Sequence, residues 1–225
     1  MSHLIIHPIA HIRTDFPTKF GVPRQSGRAP SAAGTVVFEP KYRDESALRG
    51  IEGFSHLWLI FDFSEAHRDT FSPTVRPPRL GGNTRIGVFA TRSPFRPNPI
   101  GLSCVRLVAV EKTASEGTVL RVAGADLMDK TPILDIKPYL PFADSIPEAV
   151  GGFADAETSH HLSVEFPSSL AALVPKEKLS ALVECLAEDP RPSYQDDERV
   201  YTMCYASLEV DFTVNGDTLT VVAVR

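Results

Sequence analysis

The stretch RIGVFATRSPFRPNPIGLS, residues 85–103, joins a short alternating segment to a loop with three prolines. The alternation from Ile86 to Thr91 predicts a half-buried strand. Each proline then restricts its own φ and pushes the preceding residue towards extended backbone, while the loop loses three backbone donors. We therefore expect a stiff, irregular loop after residue 91.

This loop carries three polar side chains. The guanidinium groups of Arg92 and Arg96 and the amide of Asn98 suit an anion or a base edge better than an apolar core. The alternative is a proline-rich connector between two strands that binds no ligand.

Composition places the chain among ordinary globular proteins. Its 225 residues are 43% hydrophobic and 23% charged, which suits one large domain or a domain with a smaller appendix. No apolar run approaches the roughly 20 residues of a membrane span, and the first residues lack a basic leader with a cleavage site, so we expect a cytoplasmic protein. Cys104, Cys185 and Cys204 lie far apart without a CxxC spacing, so neither a disulfide framework nor a zinc site is predicted.

The net charge of -5 hides a strong asymmetry. Residues 1–106 carry 14 Lys and Arg against 8 Asp and Glu, a balance of +6, whereas residues 107–225 carry 9 against 20, a balance of -11. Between Arg68 and Arg106 there are seven arginines, no lysine and one acid, Asp69. This choice of arginine favours bidentate recognition of phosphate or carboxylate and stacking on bases. The alternative is that these arginines only decorate the rim of a barrel.

The pattern of apolar residues predicts a mainly β fold whose N-terminal part is a β-barrel. The buried strand FSHLWLIFDF and the alternating segments around the EKTASEG turn support it. The predicted strands span residues 4–12, 34–39, 54–63, 86–91, 101–111, 118–123 and 133–136, with a helical turn at 46–51.

The composition changes near residue 146, where a linker follows the barrel. KEKLSALVECLAEDP places apolar residues on one face of a helix that Pro190 ends. LEVDFTVNGDTLTVVAVR predicts a hairpin with a type I′ turn at Asn215-Gly216. We therefore expect a barrel domain in residues 1–147 and a small α+β C-terminal domain in residues 165–225, with few core contacts between them.

Several common enzyme motifs are absent from the sequence. There is no GxGxxG after a strand, no GxxxxGK[ST], no HExxH and no GxSxG. Rossmann cofactor binding, P-loop phosphoryl transfer, zincin chemistry and α/β-hydrolase chemistry therefore lose their usual support.

A family resemblance extends over nearly the whole chain. It is carried by VPRQSG (22–27), GFSHLWLIFDF (53–63), PTVRPPRLGGN (73–83), RIGVFATRSPFRPNPIGLS (85–103), DIKPYLPFADSIPEA (135–149) and EDPRPSYQ (188–195). Together these runs resemble the TsaA/TrmO family. The resemblance implies a homodimeric S-adenosylmethionine-dependent tRNA methyltransferase built on a β-barrel. Its expected substrate is the threonylcarbamoyladenosine next to the anticodon of threonine tRNA, methylated on the exocyclic nitrogen.

The resemblance also assigns roles to residues. It implies cofactor binding by Gln25, Ser26, Gly27, Phe63, Ser64, Arg92, Leu102, Asp126, Leu127, Met128, Asp129 and Lys130. Family members often carry His at the position of Ser64, so no base is expected there. The candidates for a proton acceptor and its helpers are Asp135, Lys137 and Tyr139, the alternative being that DIKPY is only a rigid turn. No metal is expected.

The hydrogen-bonding groups of these side chains agree with the roles that the resemblance implies. Asp126 and Asp129 suit the hydroxyl or amino groups of S-adenosylmethionine, and Arg92 suits its carboxylate. In the C-terminal domain, RNA recognition is expected from side chains that stack or bind phosphate, namely Arg191, Tyr194, Arg199 and Tyr201. The alternative functions are a non-catalytic RNA- or nucleotide-binding barrel and an S-adenosylmethionine sensor without a methyl acceptor.

Overall fold

The computed structural model describes residues 4–77, 84–157, 161–191 and 199–225. Tyr194 and residues 78–83 of the PTVRPPRLGGN run lie outside these ranges. The strands are β1 (Ala10–Thr14), β2 (Ala33–Phe38), β3 (His56–Asp62), β4 (Thr74–Val75), β5 (Ile86–Gly87), β6 (Ile100–Thr113), β7 (Gly117–Ala123), β8 (Pro132–Pro138), β9 (Ser163–Glu165), β10 (Tyr201–Tyr205), β11 (Leu208–Asn215) and β12 (Thr218–Val224). The α-helices are α1 (Pro141–Asp144), α2 (Ser168–Ala171) and α3 (Lys176–Ala187).

Six strands form a closed barrel in the order β1-β2-β7-β6-β3-β8, which confirms the predicted architecture. Alternate residues of β3, Leu57, Leu59 and Phe61, are buried in the barrel core, because successive side chains of a strand point to opposite faces. Gly101 lies opposite Phe61, and a Cβ there would stand 2.2 Å from the Phe61 ring. The barrel interior therefore requires glycine at this position.

The two halves of the long strand β6 differ in their pairing. It pairs with β3 from Ile100 to Arg106 and with β7 from Arg106 to Thr113. The first half of β6 is thus left without β7 on its other side, and the loop around Ser26 takes that place. The Cys104 N–H donates to Ser26 Oγ over 3.2 Å, and the Gly27 N–H donates to the Gly124 carbonyl over 3.0 Å. This gap in the pairing positions the candidate site.

The C-terminal unit is a four-stranded sheet in the order β10-β11-β12-β9, with β12 and β9 parallel. The predicted helix and hairpin are confirmed as α3 and β11–β12. The predicted type I′ turn at Asn215 is wrong, because Asn215 pairs with Thr218 and only Gly216 of the two turn residues has a positive φ, as in a type II′ turn. The type I′ geometry occurs instead between β10 and β11, where Ala206 and Ser207 both have positive φ.

A second hydrophobic core joins the two units. It contains the apolar faces of α3 and the C-terminal sheet, and it also contains Phe16, Ala29 and Ala32 from the segment between β1 and β2. Phe16 lies 5.5 Å from Tyr205, measured between ring centroids. The expectation of few core contacts across the linker is therefore wrong, while the domain boundaries themselves stay a prediction.

Two other strand predictions differ from the structure. The N-terminal strand begins at Ala10 rather than near residue 4, after Pro8. The strand at residues 86–91 ends after Gly87, and Val88–Ala90 form a 3₁₀ turn. The Thr91 hydroxyl and N–H both donate to the Val88 carbonyl, which closes this turn and prevents further strand pairing.

Candidate functional site

The candidate site centres on the Asp126 carboxylate, which follows β7 at the gap beside β6. Ser103 Oγ donates to Asp126 Oδ1 over 2.5 Å, and the Ser26 backbone also hydrogen-bonds this carboxyl group. Ser103 is buried on the inner face of β6, between Gly101 and Val105 in the alternation. The barrel wall and the loop of Ser26 thus hold one carboxylate between them.

The electrostatics of Asp126 are unusual for an aspartate. Burial raises its pKa to about 6, while the hydrogen bond from Ser103 and the charge of Arg92 act in the opposite direction. Desolvation is the largest of these effects. A carboxyl group kept near its ionisation point next to a cation is a good acceptor for the hydroxyl or ammonium group of a ligand.

Arg92 connects the proline loop to the same cluster. Its guanidinium donates to Gln25 Oε1 over 2.5 Å, and Gln25 Nε2 donates to the Arg24 carbonyl over 2.6 Å. Within the proline loop Arg96 donates to the Thr91 carbonyl over 3.0 Å, and the stiffness of the loop stays a prediction. Four of the predicted cofactor residues, Gln25, Ser26, Arg92 and Asp126, therefore converge.

The backbone at this cluster approaches closely. Gly27 and Gly124 both have φ of +78°, and a Cβ on Gly124 would lie 3.4 Å from the backbone of Gly27. The predicted residue Gly27 thus belongs to the same cluster through its backbone.

The residues that follow Asp126 make structural contacts with the barrel. Leu127 is buried in the barrel core, and Met128 accepts from the Thr131 hydroxyl over 2.8 Å. Asp129 Oδ1 accepts from the Thr14 N–H over 3.1 Å, and Lys130 has φ of +66° in the turn. Leu127, Met128, Asp129 and Lys130 thus have structural contacts, and their cofactor roles stay predictions.

The remaining predicted cofactor residues lie elsewhere on the barrel. Phe63 and Ser64 follow β3, where the Phe63 N–H donates to the Pro99 carbonyl over 2.7 Å. Leu102 is exposed and alternates with the inward-facing Ser103, so it lies on the outer face of the barrel. The structure therefore does not bring Leu102 into direct contact with Asp126.

The three candidate catalytic residues also lie along this outer face. Asp135 pairs with Ile60 and Lys137 with Trp58 across β8 and β3. Lys137 Nζ lies 2.8 Å from Asp135 Oδ2, and the Ile136 N–H donates to Asp135 Oδ1 over 2.9 Å. These contacts orient the carboxylate.

The third candidate, Tyr139, contacts aromatic rings. Its ring centroid is 5.9 Å from that of Trp58 and 6.2 Å from that of His56. The trio is thus ordered as a group on the barrel exterior.

A groove of about 1360 Å³ opens beside the Gln25–Arg92 pair. It runs between residues 68–77 and 85–95, the segment 151–154 and the start of the loop after α3. Its described lining includes six arginines and no carboxylate side chain; the arginines are Arg24, Arg68, Arg76, Arg85, Arg92 and Arg191. The arginine-rich stretch of the sequence is therefore concentrated on one concave surface.

Comparisons with known proteins agree along the whole chain. Residues 11–145 match the profile of the tRNA-methyltransferase O N-terminal domain, and residues 159–225 match that of the TrmO C-terminal domain. The chain belongs to the tRNA-methyltransferase O family. The TsaA/TrmO resemblance is thereby confirmed.

Individual relatives of this family cover most of both chains. The tRNA (adenine(37)-N6)-methyltransferase of Escherichia coli K12 is 44% identical over 95% of this chain and 93% of its own. A putative S-adenosylmethionine-dependent methyltransferase, RcsF of Pseudomonas aeruginosa, is 44% identical over 88% of this chain and 86% of its own. The crystal structure of TrmO from Pseudomonas aeruginosa superposes with a TM-score of 0.80 at 35% identity, covering all of both chains.

Two residues that support the candidate site, Ser103 and Glu188, were not predicted from the sequence. Ser103 was detectable as a polar residue at an inward position of the alternating strand. Glu188 was not detectable, because its partner Arg28 is 160 residues away; Arg28 Nε donates to Glu188 Oε2 over 2.7 Å.

RNA recognition by the C-terminal unit stays a prediction, but the structure removes Tyr201 from the side chains that could stack on a base. Tyr201 is only 5% exposed and stacks on Phe212 at 5.6 Å between centroids, so its ring is not available to a base. Arg199 lies over the Tyr201 ring, and Arg191 is largely buried against Asp189. Tyr194 lies outside the described residues.

The described residues hold neither a metal-binding cluster nor a membrane-spanning helix. They contain no cluster of three or more His, Cys, Asp or Glu side chains arranged to hold a metal ion. Among them, no helix is long and apolar enough to span a membrane.

Proposed function

We propose that this protein is an S-adenosylmethionine-dependent tRNA methyltransferase that methylates the exocyclic nitrogen of threonylcarbamoyladenosine next to the anticodon of threonine tRNA. The observation that carries the proposal is the Asp126 cluster, which the gap beside β6 forms in a chain belonging to the tRNA-methyltransferase O family. The non-catalytic RNA-binding alternative is less well supported, because curated relatives at 44% identity have methyltransferase names.

The donors and acceptors of the cluster fit the cofactor. S-adenosylmethionine presents an ammonium group, ribose hydroxyls and a carboxylate. The Asp126 carboxylate accepts hydrogen bonds from the first two, and the Arg92 guanidinium is suited to the carboxylate. The close backbone approach of Gly27 and Gly124 leaves the adjoining loop amides free of side-chain bulk. When bound there, the cofactor supplies an activated methyl group.

The protein contributes mainly alignment and proton removal. Methyl transfer to nitrogen needs an in-line approach, so most of the rate comes from holding the nucleophile in position. A carbamoylated amine is a weak nucleophile and benefits from losing its proton to a base. Asp135 is the proposed base, and Lys137 with the Ile136 N–H holds its carboxylate in place. Tyr139 borders the position through its ring.

We also propose a homodimer located in the cytoplasm. The Asp126 cluster and the Asp135 trio lie on different faces of the barrel, so a second copy is expected to bring one cluster against the other. Exposed apolar residues on the outer face of β6 and in the segment after β8 are suited to such a contact. They are Ile100, Leu102, Phe142, Ile146 and Val150. Size-exclusion chromatography with light scattering measures this, and a monomer at working concentration would rule it out.

The decisive experiment supplies both substrates. The protein is incubated with methyl-labelled S-adenosylmethionine and total tRNA from cells that lack the methyl group, and nucleosides are then analysed by mass spectrometry. We expect label only in methylated threonylcarbamoyladenosine. Cofactor binding without any labelled nucleoside would instead indicate a sensor, and absence of cofactor binding would indicate a pure binding module.

A further inference from the structure

The arginine groove differs from a cofactor pocket in size and composition. Its volume of about 1360 Å³ exceeds the roughly 300–1,000 Å³ of typical small-molecule sites. Arg191 in its described lining is paired with Asp189. Arg68, Arg76, Arg85 and Arg92 line it as well and no described carboxylate does, so the groove concentrates positive charge in a concave surface. A small cofactor neutralises only part of that charge. The groove therefore suits a longer polyanion.

Aromatic rings project from the same surface. Phe89 lines the groove and is 74% exposed, on a 3₁₀ turn whose neighbour Val88 is buried and holds the turn in place. Phe71 lies beside it, with ring centroids 6.5 Å apart and ring planes 26° apart. An exposed pair of nearly parallel rings, of which the Phe89 ring stands on this turn, is costly in water and suits a flat apolar partner.

A third ring is combined with a cation. The Arg68 guanidinium lies 3.7 Å from the centroid of Phe95, and both residues line the groove. Arg85 donates to Thr74 Oγ1 over 3.1 Å, which orients its guanidinium in the wall. Guanidinium groups and aromatic rings thus lie together on one surface. A single-stranded nucleic acid uses such groups to bind its phosphates and to stack its bases.

We infer that this groove binds an unpaired segment of RNA, with a base stacked on Phe89 and phosphates on Arg68, Arg76 and Arg85. Stacking on an aromatic side chain needs a base that is out of the helical stack, which an anticodon loop provides and a duplex does not. The inference rests on the proposed function, and it adds the surface and the type of contact. It also moves RNA recognition from Tyr201 to the barrel loops.

The test uses the full chain and a fluorescently labelled anticodon stem–loop of threonine tRNA. Binding is measured by anisotropy over a range of salt concentrations for Phe89→Leu and Arg85→Gln. The matched controls are Leu173→Ser, which changes an exposed apolar residue of the C-terminal unit, and Arg49→Gln, which removes an exposed charge outside the groove. S-adenosylmethionine affinity and thermal denaturation are measured for every variant.

The two variants should differ in a way that identifies each contact. Phe89→Leu keeps the apolar character but removes the flat ring, so affinity should fall roughly tenfold with an unchanged salt dependence. Arg85→Gln should reduce the slope of log K against log salt by about 0.7, the value for one phosphate contact on a single strand. Both should leave cofactor affinity unchanged, and the controls should match wild type.

The failures are distinguishable. If both variants bind the stem–loop with wild-type affinity and salt dependence while wild type methylates tRNA, the groove is not the RNA site and the proposed function stands. If wild type binds S-adenosylmethionine but neither binds nor methylates any tRNA, the proposed function fails and this inference fails with it.

Discussion

Replacing Glu188 with Gln should weaken cofactor binding, although Glu188 lies in the C-terminal unit. Its carboxylate accepts from Arg28 Nε over 2.7 Å, and Arg28 directly follows Gly27 of the candidate cofactor loop. Nearby contacts act in the same direction, since Ser31 donates through its N–H and hydroxyl to Glu184, and Arg24 donates to the Arg191 carbonyl over 2.7 Å. The C-terminal unit therefore holds this loop from behind.

The expected size of the effect follows from the burial of the Arg28–Glu188 ion pair. The Glu188 side chain is 4% exposed and that of Arg28 is 25% exposed, so the pair is largely desolvated. Breaking a buried ion pair by removing one charge typically costs 3–5 kcal/mol. Gln keeps an acceptor for Arg28, and Arg28 retains some water, so we expect a loss of about 2 kcal/mol in the free energy of unfolding. Loosening the loop should cost about 1 kcal/mol of cofactor binding, a factor of about five in Kd.

Thermal denaturation and calorimetric titration with S-adenosylmethionine measure both effects. Glu177→Gln is the matched control, because it removes the same charge from an exposed position in the first turn of α3. A double-mutant cycle with Arg28→Met isolates the coupling between the partners. If Glu188→Gln and Glu177→Gln have the same Kd for the cofactor, the loop does not depend on the C-terminal unit and the reasoning is wrong.

Four other outcomes are expected. The affinity for S-adenosylmethionine should fall as the pH decreases through about 6, because Asp126 loses its negative charge when it is protonated. Asp126→Asn should bind the cofactor weakly at every pH. A wild-type affinity that does not change with pH would contradict the role of Asp126. The folded-state pKa of Asp126 is raised above 3.8, so its ionisation removes stability as pH rises towards 6, and unliganded Asp126→Asn should melt at a higher temperature than wild type at pH 7. Asp135→Asn should lower the single-turnover rate constant of methyl transfer roughly 10²-fold or more, with an unchanged Kd for the cofactor. An unchanged rate constant would show that Asp135 is not the base. Deleting residues 161–225 should give an insoluble protein or one without cofactor binding, because Phe16 and Ala29 lose their core; a soluble barrel with native affinity would refute this.

The barrel was predictable because each strand carries its own local signal. In β3 the continuous apolar run predicts a buried strand, and the structure shows that Leu57, Leu59 and Phe61 face the core with half-buried residues between them. The hairpin of β11 and β12 was predictable for the same reason. Its turn type was not, since the register between Asn215 and Thr218 decides which residues form the turn.

The candidate site was predictable only through resemblance. Asp126 and Ser103 meet because β6 changes its partner at Arg106, and no local pattern reports that change. Tyr201 illustrates the opposite error: a tyrosine in a proline-rich, charged region suggests a surface ring, yet strand β10 buries it against Phe212. Contacts between distant segments determined both outcomes.

The packing of Phe16 against Tyr205 in the second core has a consequence for synthesis on the ribosome. All six barrel strands have emerged once β8 is complete, so the barrel can close early. Phe16, however, packs against the ring of Tyr205 in β10, which is translated much later. Until this strand emerges, the nascent chain exposes an apolar segment and its Ser26 loop lacks support. A ribosome that stalls before residue 201 therefore carries barrel strands and a Phe16 that has not yet met its partner ring.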